Sequence, residues 1–221
     1  MRVRLMLDEK WFPDSVAKGT QITEEELFNL KATEKVDKKE FLQAIDLWLQ
    51  FLDKDLEETL PWTMIGMIYL HIGNPFKAEK FLKKPTEQEP RKPVHWDHLG
   101  FAYFNQGRVQ KAIDYYQKAL GLDYKRKETL NRLSYSYYAL DKLEEAKKGF
   151  YEVLEFDGKN TFALYHLGLI YQSLEVYPKA ILFYSETVAL DPDHKEAWSN
   201  LGLCYEKTRN LQKAEECYEK A

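Results

Sequence analysis

Apolar and polar positions fall into two helical patterns that alternate along most of the chain. Between residues 93 and 126 the first pattern is Trp96, Leu99, Gly100 and Tyr103, spaced i, i+3, i+4 and i+7 on one face of a helix. Gly107 follows as a stop signal. The second pattern is Ala112, Tyr116 and Ala119, spaced i, i+4 and i+7 on one face of another helix. The predicted element is a helix, a short turn and an antiparallel helix. Gly100 and Ala112 leave no side chain between the axes, so the helices can approach closely. Trp96, Tyr103 and Tyr116 fill the space on either side.

This element recurs every 34 residues. Trp62, Trp96 and Trp198 share one register, and so do Gly66, Gly100, Gly168 and Gly202. Tyr69, Tyr103, Tyr137, Tyr171 and Tyr205 form a third series. Ala78, Ala112, Ala146, Ala180 and Ala214 form a fourth. A fixed period of this length denotes stacked repeats rather than one globular core, and it points toward binding rather than catalysis.

The motifs resemble the tetratricopeptide repeat, whose pattern is W-x2-L-G-x2-Y, then A-x3-F, then P. The match runs along residues 59–221 in units 59–92, 93–126, 127–160, 161–194 and 195–221. The first unit carries Trp62, Ile65, Gly66, Tyr69, Ala78, Leu82 and Pro90, but it has Pro85 where the family prefers Ala. Its second helix is therefore expected to end early. The third has Leu130, Leu133, Tyr137, Ala146 and Phe150, with Ser134 in place of Gly. The fourth has Leu164, Leu167, Gly168, Tyr171, Ala180, Tyr184 and Pro192. The fifth has Trp198, Leu201, Gly202, Tyr205, Ala214, Tyr218 and Ala221. The resemblance implies an all-α fold, a right-handed α-solenoid of stacked antiparallel helix pairs (a TPR superhelix).

Residues 21–58 are less regular and are read as a degenerate N-terminal capping repeat. Thr23-x-x-Glu26 is a capping-box signature before Leu27, Phe28 and Leu30. The segment from Phe41 to Leu52 is apolar on most sides and predicts a buried helix. Ala44 and Trp48 keep the register, whereas Lys31 and Lys35 stand where Leu and Tyr belong. Thr59 before Pro61 suits the start of the next helix. Residues 1–20 carry Val3, Leu5, Leu7, Trp11 and Phe12, which no repeat accounts for. They are expected to form an arm or flap over residues 21–58, the alternatives being a self-ligand or a swapped arm. The unit 195–221 has no polar capping helix after it, so the natural chain is expected to continue or this end to pack on another chain.

Composition sets the outer limits. The 221 residues are 44% hydrophobic and 14% aromatic, ample for a packed core. A net charge of −4 disfavours nucleic acid as the main partner. No apolar run approaches the ~18 residues that span a bilayer. The apolar start is too short for a signal peptide, which points to the cytoplasm. Cys204 and Cys217, the only cysteines, are expected as buried free thiols.

The resemblance also implies a concave groove lined by the first helix of each unit. Helical spacing places the corresponding residues on a different face from the Trp-Leu-Gly-Tyr set. They include Met67, Leu70 and His71 in the first unit and Asp97, Phe101, Phe104 and Asn105 in the second. Asn131, Tyr135 and Tyr138 follow in the third, and Phe162, Tyr165 and Leu169 in the fourth. Such an apolar, aromatic surface would hold an extended apolar peptide or an amphipathic helix. The leading expectation is a non-catalytic scaffold or adaptor for protein or peptide partners. Alternatives are a chaperone for an apolar client segment, a regulatory or targeting arm of a larger enzyme, and a scaffold that self-associates through the arm or the uncapped end. The Lys/Asn/Arg carboxylate clamp of chaperone-binding relatives is not matched: Thr63, Met67, His98 and Glu128 occupy its places, and only Arg132 fits. His95-Trp96-Asp97-His98 offers too few ligands for a metal, and His95 is expected to pack on the preceding unit. There is no phosphate-binding glycine loop, His-Glu-x-x-His or nucleophile elbow, so neither catalysis nor a cofactor is expected.

Overall fold

The computed structural model describes residues 24–37, 39–53 and 58–221. Among them there is no strand, and there are twelve helices. These are α1 (Glu24–Asp37), α2 (Phe41–Leu52), α3 (Thr59–His71), α4 (Pro75–Gln88), α5 (Pro93–Asn105) and α6 (Val109–Leu122). They continue as α7 (Lys127–Ala139), α8 (Leu143–Phe156), α9 (Thr161–Ser173), α10 (Tyr177–Leu190), α11 (Lys195–Lys207) and α12 (Leu211–Tyr218). The arm at 1–20 and the cap residue Thr23 lie outside the described residues.

The chain divides into two compact units, 1–106 and 107–221, each a stack of helices that pack in chain order. In the first, α1 packs on α2, α2 on α3, α3 on α4 and α4 on α5. In the second, each helix from α6 to α12 packs on the next. The first helices of neighbouring pairs also touch, α3 with α5 and α7 with α9. Trp48, Ile65 and Ile68 anchor the first core, and Phe150, Leu164, Leu167 and Tyr184 anchor the second. The Trp48 indole donates to Asn29 Oδ1 at 3.1 Å, a buried partner for its one polar atom.

The close approach expected at the small positions has a specific cause. A methyl group at Gly66 would come within 2.5 Å of Leu82 Cγ, and one at Gly168 within 2.5 Å of Tyr184 Cε1. At Gly202 it would meet Tyr218 Cε1 at 2.6 Å. The glycine on the first helix thus makes room for the large residue on the second. Ser134 breaks this rule, and Gly149 of α8 compensates, since a methyl group there would overlap the Ser134 hydroxyl. Ser134 spends that hydroxyl on Leu130 O at 2.7 Å, inside its own helix.

The turns within the pairs repeat in the backbone more strictly than in sequence. Lys39, Gly73, Gly107, Asp141, Glu175 and Arg209 all have φ between 57° and 76°, and they are spaced by the repeat period. Each sits just beyond a helix end, where a left-handed residue lets the next N–H reach back. Asn74 N–H bonds Tyr69 O at 2.7 Å, Lys142 N–H bonds Tyr137 O at 2.9 Å, and Val176 N–H bonds Tyr171 O at 2.8 Å. Only two of the six residues are glycine, so the others carry a Cβ in a crowded conformation. Asp141→Gly, Glu175→Gly and Arg209→Gly should each stabilise by roughly 0.5–1 kcal/mol. Urea midpoints of the single and triple variants check this; an unchanged or lower midpoint refutes it.

Two expectations about elements are corrected. Pro85 does not end α4, which runs on to Gln88. Proline forfeits one helical hydrogen bond, but it stands in the last turn with its ring buried, and its own carbonyl still accepts from Glu89 N–H at 2.9 Å. The helix from Phe41 to Leu52 is buried on one face only. Ala44, Ile45, Trp48 and Phe51 point inward, while Leu42 is 69% exposed, as befits the outer helix of a pair.

Candidate functional site

In the second unit the sequence-predicted residues Tyr135, Tyr138, Phe162 and Tyr165 come together around one side chain, His166. Tyr135 and Tyr138 lie one turn apart on α7, and Phe162, Tyr165 and His166 share the first turns of α9. The Phe162 ring lies 4.1 Å from the His166 ring, and Tyr135 meets His166 edge-on at 5.1 Å. Tyr138 and Tyr165 approach it edge-on at 5.8 and 5.4 Å. Phe150 of α8 stacks on it from the core side at 5.3 Å. Tyr165 continues the row to α11, lying 4.6 Å from His194 and accepting a hydrogen bond from Asn200 at 3.2 Å. The four outer rings are half-buried, so each keeps an edge or face open to solvent. Leu169 and Asn131 are half-buried on the same two helices.

The electrostatics suit an apolar occupant. His166 Nδ1–H donates to Phe162 O at 2.8 Å. Burial pushes its imidazolium form down to a pKa of about 4, which makes the ring neutral near pH 7. Burial likewise pushes the Tyr138 and Tyr165 phenols up, so both stay protonated. The face therefore presents aromatic carbon, hydroxyl donors and no formal charge from these groups.

In the first unit the predicted residues divide. Met67, Phe101 and Phe104 are half-buried. Leu70, 6% exposed, and Asp97, 1% exposed, belong to the packed interior and are not available as a surface. Both sit at helix positions that face the adjoining helices, a distinction one period of sequence does not carry. His71 is exposed and lies 4.7 Å from the Phe41 ring of α2. Asn105 is exposed but turns its amide onto Phe101 O at 2.8 Å.

Two carboxylates that the sequence reading passed over join neighbouring helix pairs in this unit. Glu89, just past α4, accepts from Thr59 at 2.6 Å, from His95 Nε2 at 2.8 Å and from Lys92 at 2.6 Å. Burial pushes its carboxyl up, but these hydrogen bonds outweigh that and hold it at about 2. Glu79 of α4 accepts from Tyr103 of α5 and from Gln106 just past it, each at 2.8 Å, and from Lys83 at 2.7 Å. Against burial, those bonds also hold it at about 2. His95 thus packs on the preceding pair as expected, with its ring spoken for by Glu89. Cys204 and Cys217 are buried free thiols, also as expected.

His166 is the residue at the centre of this arrangement that the groove positions did not include. Its i, i+4 relation to Phe162 was the available clue. Among the described residues, no helix is long and apolar enough to cross a membrane.

Comparison with known proteins bears on the same elements. The tetratricopeptide repeat family model matches residues 98–123 and 196–221. The chain is similar to a solved structure of MamA, 26% identical, with a TM-score of 0.65 over 71% of this chain and 91% of that one. It shares its fold with YrrB, described as a TPR protein with an unusual peptide-binding site, at 19% identity and TM-score 0.63 over 78% of this chain and 89% of that one. The C-terminal part of a TPR repeat-containing protein from Cytophaga hutchinsonii is 16% identical, with a TM-score of 0.72 over 87% of this chain and 77% of that one. No curated protein matches the sequence.

Proposed function

We propose that this tetratricopeptide repeat protein is a non-catalytic adaptor that holds an apolar peptide or amphipathic helix of a protein partner against its first helices. The carrying observation is the half-buried aromatic row Tyr135, Tyr138, Phe162 and Tyr165 around a neutral His166. These rings already rest on one another, so little side-chain freedom is lost when a ligand covers them. A partner residue that buries a Leu- or Phe-sized side chain there gains about 1.5–3 kcal/mol. Two or three such anchors support a micromolar complex after the cost of association. In the first unit, Met67, Phe101 and Phe104 supply the same chemistry on a smaller scale.

A random dodecapeptide library displayed on phage and selected against the chain tests this. Enriched peptides should be rich in Leu, Phe and Trp. Their affinity should fall at least about tenfold in the variant Tyr135→Ala with Phe162→Ala, matching the loss of one anchor or more. Circular dichroism reports whether that variant stays helical. Peptides that bind wild type and a helical variant equally refute the assignment.

A further inference from the structure

In the second unit α10, α11 and α12 line an open surface cavity of about 380 Å³ that lies apart from the aromatic row. Its lining includes Ser185, Val188, Trp198, Leu201, Tyr205 and Cys217. One repeat earlier, the positions of Ser185, Tyr205 and Cys217 are held by Tyr151, Tyr171 and Phe183. There the space is filled by rings. Phe183 stacks on Tyr171 at 5.6 Å with 5° between the planes, and Tyr151 meets Phe183 edge-on at 6.0 Å. The Tyr151 and Tyr171 hydroxyls hydrogen-bond at 2.9 Å. Tyr171 is consequently 7% exposed, whereas Tyr205 is only half-buried. The later repeat keeps the tyrosine and replaces the two rings that cover it with serine and cysteine. The framework persists, those two rings are gone, and Trp198 stands where the earlier repeat has Leu164, which leaves a ring-sized site lined by Tyr205 and Trp198.

The charged groups at the site say what accompanies the ring. Lys213 Nζ lies 5.3 Å from the centre of the Tyr205 ring, as Lys179 lies 4.9 Å from Tyr171. The later repeat adds Lys220, 4.5 Å from the centre of the Trp198 ring, where the earlier one has Glu186. Glu216 is the acidic member of the lining, so the two lysines leave an excess of positive charge.

We infer that this cavity takes a phenylalanine or tyrosine side chain of a partner peptide with a carboxylate beside it. The ring stacks on Tyr205 as Phe183 stacks on Tyr171, and the carboxylate pairs with Lys213 or Lys220.

The probe is the blocked tripeptide acetyl-glycyl-phenylalanyl-aspartate amide. Two controls carry alanine for the phenylalanine and lysine for the aspartate. Titration is followed by NMR on the Trp198 indole N–H, which donates to Pro192 O at 2.9 Å and is assigned with Trp198→Phe. The expected result is a saturable shift with the probe and affinity at least about tenfold lower for each control. The variant Ser185→Tyr with Cys217→Phe restores the earlier repeat's rings and should abolish the shift. If it does not fold, Cys217→Phe alone should weaken it. No saturable shift, equal affinity for the alanine control, or an undiminished shift in a folded filled variant each overturns the aromatic site. Equal affinity for the lysine control overturns the paired carboxylate.

Discussion

Replacing Gly168 with alanine should lower the stability of the second unit by about 1–3 kcal/mol, although alanine is the better helix former. The added methyl would lie 2.5 Å from Tyr184 Cε1 and 2.6 Å from Cδ1, closer than packed carbons come. Tyr184 cannot retreat. It is fully buried, and its hydroxyl is held by Gln172 at 2.6 Å. The helices must part, or the ring must leave its well. Gly168→Ser should cost a similar amount, even though serine is native at the same position one repeat earlier. Ser134 is tolerated because Gly149 faces it, whereas one repeat later the position of Gly149 is held by Phe183. Guanidinium unfolding of wild type, Gly168→Ala and Gly168→Ser measures this. Wild-type midpoints for both variants would show that α9 and α10 are not held as close as described.

Acidification below pH 6.5 should destabilise the second unit. His166 is held neutral by burial, with its pKa down at about 4 from 6.5. The unfolded chain therefore binds a proton that the folded chain refuses between those values. Stability from this group is fully present above pH 6.5 and is lost as the pH falls through 4. The two values correspond to on the order of 3 kcal/mol. In the first unit His95 is also pushed down by burial and acts in the same direction. Glu79 and Glu89, both near 2, contribute stability present above pH 4.5 and lost as the pH falls from there toward 2. Urea unfolding between pH 7 and 4.5 thus isolates the histidines. Wild type should weaken steadily over this range, and His166→Phe should flatten most of the slope for the second unit. A slope that survives His166→Phe would assign the effect elsewhere. Because His166 stays neutral in the folded chain until the pH nears 4, peptide binding at the aromatic row should persist over the same window wherever the unit remains folded.

Most of the architecture was legible because repeat packing is local. Trp, Leu, Gly, Tyr and Ala recur at 34-residue intervals since each pair solves the same packing problem against the next. That made helix pairing and the exceptional Ser134 readable from spacing alone. Pro85 misled because a propensity rule was applied without knowing that α4 had only its last turn left to run. The turn at Gly107 looked like a glycine signal. The backbone shows instead that the left-handed position recurs at the same turn every 34 residues, and lysine, aspartate, glutamate and arginine also occupy it.

The candidate site was less legible. Helical spacing brought Tyr135, Tyr138, Phe162 and Tyr165 onto one list, and the fold sets them in one cluster. It could not separate them from Leu70 and Asp97, because burial there depends on how neighbouring helices pack. The same limit hid the Glu79 and Glu89 clasps, the Gly149 compensation and the cavity beside Tyr205. By itself the sequence determined an all-helical stack of pairs and the register of its packing residues, since those contacts repeat with the chain. Tertiary structure alone decided which rings stay open, which carboxylates join neighbouring pairs and where an aromatic filling is missing. Each of those is a property of side chains from different helices sharing one space, and no single period of sequence contains it.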